Sequence, residues 1–258
     1  MATKGKAKKR IAIIGYGSQG RAMALNFRDS GYDLVIGLRS RSRSRRVARN
    51  DGFRAILTVA EAVKGAGVVC FAFPDHRHGA VFDKEIAPNL KQGAALLFLH
   101  GLSIQYGLVK PKTNCDILLL APHAPGVAVR EQYLGDRAIS AFYAVHRDCS
   151  RRAVQTVIEL AGGMGIRKSR LVKTTFRDEA IGDLFGEQAV LCGGLAMLIK
   201  TGFDLLVERG IRPENAYLEV AYQLDLIVAL IKKHGLQGML NRISVAARTR
   251  RRSAPSDA

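Results

Sequence analysis

A short β-branched run, Arg10 to Ile14, leads directly into Gly15-Tyr-Gly17-Ser-Gln-Gly20, and an amphipathic stretch follows from Arg21 to Asp29. Strand, glycine turn and helix in that order leave few folds open. Glycines at this spacing permit a tight turn, close approach of the backbone to a pyrophosphate, and close packing of helix on strand. The following helix then presents unpaired N–H groups and the positive end of its dipole to the phosphates. The order predicts the first βαβ unit of a dinucleotide-binding domain, with Gly15, Tyr16, Gly17, Ser18, Gln19 and Gly20 at the cofactor.

The next strand, Asp33 to Leu38, ends where such domains select their nucleotide. An acidic residue there would hold a ribose 2′-hydroxyl. This chain has Arg39-Ser-Arg-Ser42-Arg-Ser44 instead, and guanidinium and hydroxyl groups suit a 2′-phosphate. The same run also reads as an arginine–serine repeat that binds nucleic acid. Its place at a strand end beside the glycine turn favours NADP. The net charge of +18 agrees, because 15 of the 40 basic residues lie in residues 4–10, 39–49 and 248–252. Two of those stretches are tails, and basic residues are not interleaved with aromatics, so no nucleic-acid partner is expected.

Apolar strands at Val68–Phe73, Ala95–Leu99 and Asp116–Leu120 alternate with helical patterns at Thr58–Lys64 and His78–Ile86. This is the alternation of an α/β, doubly wound, Rossmann-like sheet. A strand over 138–145 and a helix over Asp148–Gly162 follow, and Val172–Phe176 leads out of the domain. Pro74-Asp75 and His100-Gly101 follow strands and should face the ligand crevice. His76 and His78 read as a surface pair. From residue 178 the pattern is helical: 178–201, 203–209 and 213–233, with Gly202, Gly210 and Gly235 as helix ends. Three of the four cysteines sit among apolar residues and read as reduced core thiols. No run of about 18 apolar residues is present, so no membrane span is expected, and a cytoplasmic protein without a secretory leader is predicted.

In the helical part, Asp183 and Glu187 are four residues apart in the apolar string GDLFGEQAVLCGG. Glu219 and Gln223 repeat the spacing on a second apolar helix. One reading is a partly exposed helix start whose acids favour the dipole. The other is a cation site, since carboxylates on an apolar helix are costly to bury unpaired.

The string DLFGEQAVLCGG resembles ketol-acid reductoisomerase, and the resemblance runs from about Ile11 to Ala247. It implies an NADP-binding Rossmann-like domain at 11–172 and a shortened all-α domain at 173–247, flanked by basic tails at 1–10 and 248–258. It implies NADPH and magnesium as cofactors, a small 2-keto or 2-hydroxy acid as substrate, and a homodimer. By position, Arg39, Ser42, Ser44, Pro74, Asp75 and Gly126 fall at the cofactor, and His100 falls near substrate and nicotinamide. Asp183, Glu187, Glu219 and Gln223 match the metal ligands, taken from two helices of different subunits, and Ser244 matches a serine that contacts the substrate carboxylate. Four positions depart from the family, among them Arg41 in place of a small loop residue and Val127 in place of a histidine. His123, in Ala121-Pro-His123-Ala-Pro-Gly126-Val127, replaces a lysine, and Gln223 replaces a glutamate. Lost charge at these places should impair the alkyl shift more than the hydride transfer. The implied activity is therefore either the full magnesium-dependent isomeroreduction of branched-chain amino-acid synthesis or reduction alone. A binding-only paralogue is the third reading.

Overall fold

A computed structural model describes residues 9–112, 114–135 and 139–248. The basic tails expected at 1–10 and 248–258 lie almost wholly outside the described residues. The described chain divides into two compact units, one ending at Asp183 and one beginning at Leu184, a boundary inside a helix and 11 residues beyond the one expected at 172.

The first unit is built on β1 (Ile11–Ile14), α1 (Ser18–Asp29), β2 (Leu34–Gly37), α2 (Ser44–Asn50), β3 (Ile56–Leu57), α3 (Val59–Val63) and β4 (Val68–Phe71). After the single-turn helix α4 (His78–Val81) come β5 (Ala95–Phe98), α5 (Leu102–Gln105), β6 (Asp116–Pro122), α6 (Gly126–Leu134), β7 (Ala141–Arg147), α7 (Ala153–Gly163), β8 (Leu171–Lys173) and α8 (Phe176–Phe185). The eight strands form one sheet in the order β3-β2-β1-β4-β5-β6-β7-β8. Strands β3 to β6 are mutually parallel, β7 runs antiparallel to β6, and β8 is parallel to β7.

The central strands β1, β4 and β5 are buried along their whole length, as expected of parallel strands covered on both faces. One core layer gathers Ile13, Met23, Phe27, Leu97 and Leu160, and the other gathers Ile14, Phe71, Phe82, Phe98 and Phe176. Helix α3 is fixed at its start by a reciprocal cap: Glu61 N–H donates to the Thr58 hydroxyl, and Thr58 N–H donates to the Glu61 carboxylate. The connection reverses direction between β1 and β4. That is the switch point where doubly wound sheets bind ligands.

Several expectations are corrected. The segment from Val172 does not simply leave the domain; Leu171–Lys173 adds the edge strand β8. His78 is not on the surface but 3% exposed. Cys70 and Cys115 are buried thiols, whereas Cys149 and Cys192 are exposed. Asn26 is buried within α1 and donates to the Met164 carbonyl, tying that helix to the turn after α7.

The second unit contains α9 (Gly193–Glu208), α10 (Pro213–Tyr217), α11 (Leu224–Leu240) and α12 (Val245–Arg248). Gly202 lies inside α9 and does not end it. Gly210 does end a helix: its φ is +83°, and its N–H donates to the Val207 carbonyl. Gly235, at φ 71° and ψ 172°, breaks α11. The acid-bearing stretches are not regular α-helix. Residues Gly186–Leu191 and Leu218–Tyr222 each form a π-helical turn. Counted along the chain, the helical run Phe176–Glu208 is long and apolar enough to cross a bilayer, with a mean hydropathy of 1.8 over 18 residues. The run carries Asp183, Glu187, Lys200 and Asp204, so it is not an unbroken stretch of about 18 apolar residues.

Candidate active site

The crevice at the carboxyl ends of β1, β2 and β4 holds a cleft of about 250 Å³. The expected cofactor residues Gly15, Tyr16, Gly17, Arg39, Ser42, Ser44 and Pro74 all line it. The three glycines divide the work. A Cβ on Gly15, which has φ +100°, would strike the Ala72 carbonyl, and one on Gly20 would lie 2.9 Å from the Gly15 oxygen. A Cβ on Gly17 would meet nothing within 4 Å. Gly15 and Gly20 are therefore needed for packing, and Gly17 faces open space where a phosphate can approach.

The other residues expected at the cofactor have different surroundings. The Tyr16 hydroxyl donates to Asp51 at 2.9 Å. Burial, then this bond, pushes its pKa far above the usual tyrosine value. The Gln19 amide donates to the Ala124 carbonyl at 2.8 Å, while its Oε1 is buried without a partner. Asp75 Oδ1 is also buried without a hydrogen bond. Gly126 packs directly on Ser18, so that a Cβ there would collide with the Ser18 carbonyl group. Asp75 Oδ1 lies 3.5 Å from His78 Nδ1, and neither Gln19 nor Asp75 is among the residues lining the cleft. The open face at Gly17 and the basic and hydroxyl lining at Arg39, Ser42 and Ser44 fit NADPH.

One strand over, at the carboxyl end of β5, His100, Glu179 and Asp183 converge. They are the one group of three or more metal-ligating side chains among the described residues whose ligand atoms all lie within 4.8 Å. His100 Nδ1 is 2.9 Å from Glu179 and 3.5 Å from Asp183. Glu179, 5% exposed, also accepts the Gly101 N–H at 2.5 Å. Burial alone would lower the His100 pKa. The Glu179 hydrogen bond and the charges of Glu179 and Asp183 outweigh it, and the net shift is upward. With the Glu179 carboxylate as acceptor, His100 Nδ1–H is the donor of that bond.

Glu179 was not anticipated, although the sequence carries a signal for it. Glu179, Asp183 and Glu187 follow each other at intervals of four. Asp183 is 44% exposed. Glu187 and Glu219 are exposed and sit in the two π-helical turns. Gln223 is exposed, and its amide donates to the Leu218 carbonyl at 3.4 Å. Ser244 is exposed, and its Oγ accepts from Ala247 N–H at 3.3 Å. His123 is exposed, with its ring edge-on to Phe142 at 4.2 Å. Carboxylate oxygens of the Asp183 and Glu187 kind are the donors magnesium takes.

Sheet order, glycine turn and cleft together define a dinucleotide-binding oxidoreductase domain. Profiles of the acetohydroxy acid isomeroreductase NADPH-binding domain and the ketol-acid reductoisomerase C-terminal domain match residues 6–170 and 176–257. The chain belongs to the ketol-acid reductoisomerase family, a family of enzymes whose cofactors are NADPH and magnesium. It is 47% identical over 238 residues to the ketol-acid reductoisomerase (NADP(+)) of Xanthomonas euvesicatoria, covering 92% of this chain and 71% of that one. It is likewise 47% identical to the Pyrobaculum aerophilum enzyme of that name, covering 93% and 73%. An NADH-preferring ketol-acid reductoisomerase from an uncultured archean superposes with a TM-score of 0.87 at 37% identity, covering 93% of this chain and 74% of that one. An NAD-binding semialdehyde dehydrogenase protein from Cupriavidus necator, at 21% identity and TM-score 0.72, shares the fold alone.

Proposed function

We propose that this chain is a cytoplasmic enzyme that carries out magnesium-dependent alkyl migration on a 2-hydroxy-3-keto acid and then reduces the product with NADPH, as in branched-chain amino-acid synthesis. The observation that carries the reading is the His100–Glu179–Asp183 group, which stands at a strand end in the same row as the nucleotide cleft. Magnesium, when bound, supplies Lewis-acid polarisation of the substrate oxygens, and NADPH supplies the hydride. The residues of the chain bind, orient and hold protons around that chemistry. Gly17 leaves room for the pyrophosphate, and Arg39, Ser42 and Ser44 take the 2′-phosphate. Asp183, Glu187 and Glu219 are the metal-ligand candidates, with Gln223 contributing an amide oxygen in place of a carboxylate. Glu179 accepts from His100 Nδ1–H and so orients the ring, which leaves Nε2 as the ring atom available to the substrate. Ser244 is the candidate contact for the substrate carboxylate.

A second reading, reduction without migration, rests on two observations. The Gln223 amide is engaged by the Leu218 carbonyl, and His123 packs on Phe142 where the family has a lysine. Both weaken the positive and negative charges that the migration uses. The readings separate in NADPH oxidation with magnesium, comparing 2-acetolactate with 3-hydroxy-3-methyl-2-ketobutyrate. Turnover of both supports the isomeroreductase. Turnover of the second compound alone supports the reductase. Binding of NADPH with turnover of neither would sink both.

A further inference from the structure

The six arginines of residues 39–49 look alike in sequence but do unlike things. Arg39 lines the nucleotide cleft. Arg45, the second residue of α2, instead points its guanidinium into a cage of main-chain carbonyls. Its Nε–H donates to the Arg39 oxygen at 3.2 Å, one Nη to Ile56 at 3.1 Å, and the other to Leu57 at 3.1 Å and more weakly to Leu38 at 3.5 Å. A guanidinium has five donors in a rigid planar fork and no acceptor, and here the fork spans two separate backbone segments. Leu38 and Arg39 follow β2. Ile56 and Leu57 are the whole of β3, the edge strand, which pairs only with β2.

The loop between is held by weak local turns. Ser42 N–H donates to the Arg39 carbonyl at 3.0 Å, Arg45 N–H to Ser42 at 3.2 Å, and Ser44 N–H to the Ser42 hydroxyl at 3.3 Å. The Arg39 carbonyl thus accepts from both the loop and the Arg45 side chain. Fixing that peptide sets the direction in which Arg39, Ser42 and Ser44 leave the backbone. We infer that Arg45 is a positioning residue for nucleotide choice, clamping the 39–44 loop to the β3 edge so that Arg39, Ser42 and Ser44 converge on the 2′-phosphate. This rests on the reading of that loop as the 2′-phosphate holder. A lysine would not replace it, because a point charge on a flexible stem lacks the planar fork that meets four carbonyls on two backbone segments at once.

The test is equilibrium titration of the full chain with NADPH and with NADH, which differ only in the 2′-phosphate, followed by nucleotide fluorescence. Arg45→Met keeps most of the apolar stem and removes the fork. It should weaken NADPH binding by about tenfold or more, the size of a lost charge-assisted hydrogen bond, and leave NADH binding within about twofold. Arg45→Lys should recover at most a small part of the loss, and it serves as the probe if the methionine variant does not fold. Equal weakening of both nucleotides would mean a general staple of the edge strand and would overturn the proposal. So would full recovery by lysine, or no change. Arg39→Ala in the otherwise unaltered chain separates the two layers. If it leaves the NADPH-to-NADH ratio unchanged, the loop is not the 2′-phosphate holder and the underlying reading fails; if the ratio falls while Arg45→Met leaves it intact, only the clamp fails.

Discussion

Asp116 and Glu179 are both buried carboxylates, yet their partners differ in kind. Asp116 accepts from Cys149 N–H, Ser150 N–H and the Ser150 hydroxyl, so it closes a turn and has no exchangeable partner. Glu179 is bonded to a titratable ring at the crevice. Burial alone does not mark a functional acid; the partner does. The same comparison explains His78. Its Nε2–H donates to the Phe73 carbonyl at 2.8 Å, and its Nδ1 accepts from the Ser103 hydroxyl at 2.7 Å. Burial pushes its pKa below the ordinary value, against the raising effect of Asp75 and the Phe73 carbonyl, while His100 and His76 add to the lowering. As pH falls through about 6.5, the unfolded chain takes up a proton that the folded ring refuses, so stability declines toward acid. Above that pH the contribution is complete. His78→Gln keeps one donor and one acceptor, and it should flatten the decline between pH 7 and 5.5 by up to about 1.4 kcal/mol per pH unit, read from urea midpoints. An unchanged slope would mean that His78 titrates freely. Sequence alone missed this residue because a polar loop of Pro74, Asp75, His76 and Arg77 precedes it, and nothing in that pattern shows Phe71, Phe73 and Phe98 closing over the ring.

Among the elements, the opening unit was the most legible, because its glycines are demanded by backbone geometry. Edge strands β3 and β8 were not, since two or three residues cannot display an alternation. The acid-bearing helices were legible in place but not in form. A spacing of four was read as one face of a regular helix, whereas Glu187 and Glu219 lie in π-helical turns. The reason for the first lies in Cys192-Gly-Gly194. A Cβ on Gly193 would strike the Gln188 carbonyl, and one on Gly194 the Ala189 carbonyl, each five residues earlier. The wide turn brings these oxygens inward, and only glycine admits them. Such turns recur at functional sites. A second glycine constraint joins two elements of the nucleotide domain. Helices α1 and α6 start against each other, with Gly126 on Ser18 and the Gln19 amide on Ala124. Gly126→Ala should push the glycine turn out of place, lowering NADPH affinity at least tenfold and stability by about 1–3 kcal/mol, the usual range for an added methyl in a packed contact. Nucleotide titration and thermal melting check it; unaltered affinity would show that the turn tolerates the shift.

At the scale of the whole molecule, the two units differ in how much they bury. The first has two core layers. In the second, Ala216 and Met239 are the only hydrophobic residues buried among those described, while Phe185, Leu191, Leu198, Tyr222, Leu226 and Leu236 are each at least 58% exposed. Large apolar side chains exposed in this number point to an interface. Covering apolar surface contributes about 25 cal/mol per Å², so a partner on these helices would stabilise the unit. The sequence showed these helices to be apolar but could not show that their own chain leaves them uncovered. The resemblance implies metal ligands from two subunits, and on that reading we propose a second copy as the occupant, with the apolar run Phe176–Glu208 making a lipid bilayer the rival. The carboxylates at Asp183 and Glu187 stand within that run and oppose burial in hydrocarbon. Sedimentation at micromolar concentration should therefore give a dimer or a multiple of it. Leu198→Asp with Leu226→Asp should dissociate it and unfold the helical unit together, seen as a loss of helical circular dichroism without loss of NADPH binding by the first unit. A stable, fully helical monomer would show that the exposed faces need no cover. Flotation of the unaltered protein with phospholipid vesicles, in place of a soluble dimer, would assign them to a membrane instead.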